Sequence, residues 1–217
     1  MHTSRKLAVA VFGTACITFA TAGSALADTL TFDELGSPTP VDGLTVKGVT
    51  FDFKIDGVDS TDAIYNQSFP ASFPPNLFVN LQAPILEGNA TGIRSLDFAQ
   101  PISELQFAVG VESLAPVSSA LSVELFAPDS NSLGITSVNT SNLAILSEGS
   151  FAYNGAPIQK AVLNFDQTKF GLDPTLDPRF SVDNLSYTAV PEPSLLVGLL
   201  ALGGLGGVLR LKHSSSK

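Results

Sequence analysis

The chain has 217 residues, 44% of them hydrophobic, with a formal net charge of −9 and one cysteine. Its charges are unevenly divided, because residues 28–190 hold 19 of the 20 acidic residues but only six of the 11 basic ones, a net charge of −13. This surplus of negative charge argues against a nucleic-acid or anionic-lipid partner.

Both histidines and the single cysteine lie outside that acidic segment, at His2, His213 and Cys16. Residues 28–190 therefore cannot form a Ser-His-Asp triad, a Cys-His pair, a histidine-built zinc site or a disulfide. Carboxylates, metals with oxygen ligands and unusual lysine or tyrosine bases are the chemistry that remains.

Residues 1–27 have the pattern of a secretory signal peptide. Two basic residues precede an apolar core at 7–19, and Ala25 and Ala27 frame a small-x-small cleavage site. The apolar run is too short to span a bilayer as an anchor. We therefore predict export, with cleavage by signal peptidase after Ala27.

Residues 28–189 alternate apolar and polar residues in short segments rich in Val, Ile, Phe and Thr, a pattern typical of half-buried strands. Turns are expected at Gln100–Pro101 and Asn154–Gly155, a bulge at Gly48, and a long loop at 54–75. The predicted strands are 29–33, 44–53, 76–81, 92–98, 102–109, 120–126, 133–138, 149–153, 158–165 and 180–187. These are about ten strands, and no segment among them has apolar residues at helical spacing. The pattern predicts an all-β, antiparallel, jelly-roll-like β-sandwich.

Most of the 15 phenylalanines fall at positions that the strand pattern directs inward. We predict that they form the core rather than a ligand platform. The inward set is Phe32, Phe51, Phe53, Phe78, Phe98, Phe107, Phe126, Phe165 and Phe180.

Two groups of carboxylates could bind calcium, which prefers several oxygen ligands. Asp56, Asp59 and Asp62 are closely spaced in the predicted long loop, although not at EF-hand spacing. In jelly-roll modules the first and last strands often lie side by side, so Asp33 and Glu34 could face Asp183 and tie the termini together. Both groups are also compatible with ordinary solvated acids, and no other cofactor is expected.

A pair of carboxylates could also hydrolyse a glycosidic bond. The many acidic residues make such a pair easy to propose, and residues 28–190 contain no tryptophan as a sugar platform. The sequence therefore favours a non-enzymatic protein, with a glycan hydrolase as an alternative.

The last 28 residues, 190–217, begin with Val190 and the motif Pro191, Glu192 and Pro193, and continue as an uncharged, glycine-rich apolar segment at 194–209. Arg210 and Lys212 follow as a basic stop. This segment is just long enough to span a bilayer as one helix, and the basic residues behind it place residues 28–189 outside the cytoplasm.

This order of motif, apolar segment and basic cluster resembles a PEP-CTERM sorting signal. The resemblance implies a Gram-negative bacterium that makes exopolysaccharide. It also implies an exosortase that cleaves near the motif, so that the protein passes through the inner membrane to the cell surface.

The leading hypothesis is an exported, non-enzymatic surface or matrix protein that associates with exopolysaccharide, with calcium support. The alternatives are a permanently membrane-anchored structural protein without a ligand and a carboxylate-based glycan hydrolase.

Overall fold

The computed structural model describes residues 27–69, 76–171 and 177–191. Within these ranges the chain forms twelve strands and one 3-10 turn, at Gln167–Lys169. The strands are β1 (Ala27–Leu30), β2 (Thr39–Pro40), β3 (Thr45–Val46), β4 (Val49–Ile55), β5 (Val58–Asp59), β6 (Ala63–Gln67), β7 (Ile85–Asn89), β8 (Ile93–Val111), β9 (Val117–Phe126), β10 (Ser132–Asn142), β11 (Ser147–Phe165) and β12 (Arg179–Ala189). In the described part of the chain, no helix has the length and apolar character needed to span a membrane.

The predicted all-β antiparallel fold is confirmed, because every strand pairing is antiparallel. The main path of the sheet runs β10-β9-β11-β8-β12-β7-β6-β2. β4 pairs with β8 and carries β3 and β5, while β1 pairs with β12. The predicted signal peptide before Ala27 and the predicted membrane helix at 194–209 lie outside the described residues.

Two strands of 19 residues, β8 and β11, connect two halves of this sheet. The first half of β8 lies beside β4, and its second half lies beside β12. The two halves pack on one core, in which the Phe165 ring of β11 lies 4.9 Å from the Phe180 ring of β12. The long strands therefore bend between two layers that face each other.

Two predicted turns are wrong, since Gln100–Pro101 lies inside β8 and Asn154–Gly155 lies inside β11. Both points coincide with irregularities of register, where a strand tolerates proline or glycine. Gly48 is also not a bulge. With Lys47 it forms the two-residue turn between β3 and β4, where both residues have positive φ.

The predicted loop at 54–75 contains the end of β4, all of β5 and β6, while the predicted strand at 76–81 is a loop. Most of the predicted core phenylalanines are buried, including Phe32, Phe53 and Phe180, each 0% exposed. Two are exceptions: Phe126, at the end of β9, is only half-buried, and so is Phe78, which lies in that loop.

Candidate functional site

The structure does not bring Asp56, Asp59 and Asp62 together as a calcium site. Asp56 lies at the tip of the β4–β5 hairpin with a φ of 52°. Asp59 Oδ1 lies 2.6 Å from Lys54 Nζ, whereas Asp62 Oδ1 accepts a 2.8 Å hydrogen bond from Arg179 Nη1. Each of the last two carboxylates is thus bound to a different cation of the protein.

A different set, Asp42, Asp52 and Asp59, places carboxylate oxygens within 4.8 Å of one another. Lys54 Nζ lies 2.7 Å from Asp52 Oδ1 and 2.6 Å from Asp59 Oδ1. Hydrogen bonds from Lys54 to Asp52 and Asp59 raise the pKa of Lys54. Asp42 Oδ1 accepts from the backbone N–H of Phe53 at 3.1 Å. The lysine ammonium therefore supplies the positive charge that this cluster needs.

The predicted contact between the first and last strands is present, because β1 pairs with β12 from Ala27↔Thr188 to Leu30↔Leu185. Asp183 is buried, and its Oδ2 accepts from Gln82 N at 2.9 Å. Burial and the nearby charge of Asp33 raise the pKa of Asp183.

Glu34, in contrast, is bound elsewhere, to Tyr65 and Lys47. The Tyr65 hydroxyl donates to Glu34 Oε2, and Lys47 Nζ lies 3.1 Å from Oε1. Burial opposes the ionisation of Glu34, but the hydrogen bonds from Tyr65 and from backbone amides lower its pKa. Glu34 therefore ties the segment after β1 to β6 rather than facing Asp183.

The candidate site is a cavity of about 130 Å³ that we call the Phe78 cavity. It lies where β6, β7 and β12 meet the loops at 76–84, 112–116 and 143–146. Its lining residues are Gln67, Phe69, Leu77, Phe78, Glu87, Glu112, Leu146, Arg179 and Ser181.

The polar side of the Phe78 cavity is organised by Arg179, the first residue of β12. Its Nε donates to Glu87 Oε1 at 2.8 Å, and its Nη1 donates to Asp62 Oδ1 at 2.8 Å. Its backbone N–H donates to Glu112 Oε2 at 2.9 Å. Burial works against its charge, but Asp62 and Glu87 raise the pKa of Arg179. The cavity thus presents fixed hydrogen-bonding groups.

The apolar side is formed by two aromatic rings and two leucines. The Phe69 and Phe78 ring centroids lie 5.8 Å apart with an interplanar angle of 40°. The Phe78 ring packs against the backbone of Gly110, where an added Cβ would lie 2.6 Å from Phe78 Cε1. Glycine at position 110 is therefore what allows the ring to lie at the cavity.

Two buried carboxylates hold the loop that carries Phe78. Glu148 Oε1 and Oε2 accept from the backbone N–H groups of Val79 and Asn80, both at 2.8 Å. Asp183 accepts from Gln82 N, farther along the same loop. Glu148 is only 1% exposed, so the loop is attached to a rigid part of the sheet.

Sequence reasoning did not find this cavity. Phe78 has the pattern of a core residue, and Glu148 lies in a strand region with no motif around it. Two lining residues, Gln67 and Phe69, come from the segment that the sequence predicts as a long loop, 54–75. The acidic residues of this part of the chain act through partners that are distant in sequence.

No family model matches the chain, and no curated protein matches it. Among solved structures, a family 29 carbohydrate-binding module from Piromyces equi is 11% identical, with a TM-score of 0.37 and coverage of 79% of this chain and 95% of the module. The CBM22-1–CBM22-2 tandem domain of Paenibacillus barcinonensis Xyn10C is 15% identical, with a TM-score of 0.35 and coverage of 80% and 48%. These likenesses are too distant to support an argument about function.

The sorting residues lie at or beyond the end of β12. Val190 N donates to Pro101 O at 2.8 Å, and Pro191 is exposed. Ala27 is the first residue of β1. Ala25, Glu192, Pro193, Arg210 and Lys212 lie outside the described residues.

Proposed function

We propose that this protein is an exported, non-enzymatic surface protein whose jelly-roll-like β-sandwich binds a glycan in the Phe78 cavity. The observation that carries the proposal is the placing of two aromatic rings beside fixed hydrogen-bonding groups in one cavity. A sugar ring has apolar C–H faces and a rim of hydroxyl groups, so it needs both kinds of partner. The volume of about 130 Å³ equals that of about four water molecules, which suits part of one sugar ring, such as its substituted edge, at a chain end.

The position of the cavity supports display at a surface. β12 runs from Arg179 at the cavity to Ala189, a length of roughly 33 Å at the usual rise per residue. The described chain begins at Ala27, which pairs with Thr188 near the same end of β12. The cavity and the paired residues Ala27 and Thr188 therefore lie at opposite ends of β12.

A glycan hydrolase is the second candidate, because Glu87 and Glu112 line the same cavity. Both carboxylates are bound to Arg179, one through the guanidinium and one through the backbone. Because both carboxylates already accept hydrogen bonds from Arg179, the arrangement favours glycan binding over acid–base catalysis. A hydrolase would release reducing sugar from a polysaccharide. Such release by the wild-type protein, and its loss in Glu87→Gln and Glu112→Gln, would support the hydrolase instead.

Glycan binding is tested by retention of the full-length protein, in detergent, on immobilised exopolysaccharide. We expect Phe78→Ala to weaken binding about 5- to 30-fold, because the contact of an aromatic ring with a sugar face is worth roughly 1–2 kcal/mol. Gly110→Val should have a similar effect by displacing the ring. Ile135→Ala, at an exposed position 66% accessible on β10, is the control.

Equal retention of all these variants would contradict the proposed site. Absence of retention by the wild-type protein would favour the structural protein without a ligand. The same assay with a chelator tests the proposed calcium support, which requires that calcium removal weaken retention.

We further propose that the tail is a PEP-CTERM signal processed by an exosortase after transient residence in the inner membrane. Mass spectrometry of protein released from the cell surface should find an N-terminus at Asp28 and a C-terminus near Pro191. Replacement of Pro191, Glu192 and Pro193 by alanine should retain the protein in the inner membrane. Surface material that still ends at Lys217 would rule out processing and favour a permanent anchor.

A further inference from the structure

The charge around the Phe78 cavity is negative in spite of its arginine. Glu87, Glu112 and Arg179 line the cavity, and Asp62 is bound to the same guanidinium. Three carboxylates against the Arg179 guanidinium leave a formal charge of −2; Arg94 lies near Arg179 but is buried in the core and does not line the cavity. Arg179 already donates to Glu87 and Asp62, so its charge is largely compensated before any ligand arrives.

Apart from Gln67 and Ser181, the rest of the lining is apolar, and exposed apolar residues lie next to it in the chain. Leu77 and Leu146 lie in the cavity with the two aromatic rings. Next to lining residues in the chain, Val79 is 54% exposed and Ile145 is 40% exposed. A methyl or acetyl group on a bound sugar would find apolar partners here.

These two observations point to the kind of glycan. We infer that the Phe78 cavity selects an uncharged sugar that carries an apolar substituent, such as an O-acetyl or 6-deoxy group, and rejects uronic acids. A uronate carboxylate in the cavity would face the surplus charge of Glu87 and Glu112 in a partly desolvated site, where like charges repel strongly. The net charge of −13 on residues 28–190 also opposes the approach of an anionic polymer. This inference rests on the proposed glycan-binding function.

The test uses two pairs of polysaccharides that differ in one chemical group. The first pair is an O-acetylated neutral polysaccharide and its product of mild alkaline deacetylation. The second pair is a uronate polysaccharide and its carboxyl-reduced, neutral form. We expect carboxyl reduction to strengthen retention of the full-length protein at least about tenfold and deacetylation to weaken it at least about threefold.

A charge variant tests the cause of this selectivity. Glu112→Gln keeps an oxygen that can accept from Arg179 N but removes one negative charge, so the preference for the reduced polymer should fall severalfold. Glu124→Gln removes a carboxylate of β9 that binds Ser132 and does not line the cavity, and it should leave the preference unchanged.

Phe78-dependent binding that is equal for the uronate polymer and its reduced form would overturn this inference and leave the proposed function standing. Equal binding before and after deacetylation would overturn the apolar-substituent part. Absence of Phe78-dependent retention of every polymer would overturn the proposed function, and this inference with it.

Discussion

Replacing Glu148 by leucine is expected to release the loop that carries Phe78 and to increase its opening about 100-fold. The carboxylate accepts two backbone hydrogen bonds, from Val79 and Asn80. Hydrogen bonds to a charged group contribute about 1.5–3 kcal/mol each, so loss of both favours the open loop by at least about 3 kcal/mol. Glu148→Gln keeps one accepting oxygen and should have an intermediate effect.

The chain contains no tryptophan, so a single Phe78→Trp substitution provides a fluorescent reporter for this loop. In the Glu148→Leu background we expect a red-shifted emission and stronger quenching by acrylamide. Phe126→Trp, in β9, is the control for a general loosening of the fold, and its emission should not respond.

Glu104→Leu is a matched control for the loss of a strand carboxylate. Glu104 accepts from the side chains of Asn154 and Thr188 rather than from a loop backbone. If the tryptophan introduced by Phe78→Trp is quenched equally with and without Glu148, the carboxylate does not position the loop. This outcome would be independent of whether any glycan binds.

The second large effect concerns Arg94, a buried arginine in the core. Its guanidinium carbon lies 5.1 Å from the Phe53 ring centroid, 4.8 Å from that of Phe165 and 2.9 Å from that of Phe180. Nη2 donates to Asn89 O at 3.1 Å, whereas Nε and Nη1 have no hydrogen-bond partner among the described residues. Burial, and then the charge of Arg179, lower the pKa of Arg94.

Arg94→Met is expected to raise the free energy of unfolding by about 1–4 kcal/mol, as in other cores where a well-packed apolar residue replaces a buried charge. The cation–π contacts contribute about 0.5–2 kcal/mol each, less in total than the desolvation of the charge and of two N–H groups. Methionine can keep contact with the three rings.

Arg179→Met should have the opposite sign and lower the free energy of unfolding by about 1–3 kcal/mol, because Asp62 and Glu87 lose their partner. The Arg179 side chain is 27% exposed, so solvent screening keeps this cost below that of a fully buried pair.

Urea denaturation measures both variants, with the midpoint as the readout and an unchanged m-value as the check on two-state unfolding. Destabilisation by Arg94→Met would mean that the aromatic rings stabilise the guanidinium more than its desolvation costs. Stabilisation by Arg179→Met would mean that the ion pairs with Asp62 and Glu87 do not hold the cavity.

The strand class could be predicted from the sequence because alternation with a period of two is a local property. The bends within the long strands β8 and β11 could not be predicted in this way. Pro101 and Asn154–Gly155 are ordinary turn signals, and only the register with neighbouring strands shows that β8 and β11 continue through them. Similarly, Phe78 carries the apolar signal of a core residue, and its position in a half-exposed loop depends on the packing of Gly110 and the hydrogen bonds of Glu148.

The sequence by itself determined that residues 28–190 form an acidic, all-β segment without histidine or cysteine, since these are properties of composition and local pattern. The tertiary structure alone decided how the charges pair. Arg179 binds Asp62 across 117 positions, and Glu148 binds the amide of Val79 across 69. Strand order and register determine these partners, because they bring distant residues together. In addition, the many acidic residues of this segment compete for few basic ones, so spacing in the sequence does not show which of them pair. For this reason a closely spaced acidic group such as Asp56, Asp59 and Asp62 is dispersed, while the cavity is built from separate strands.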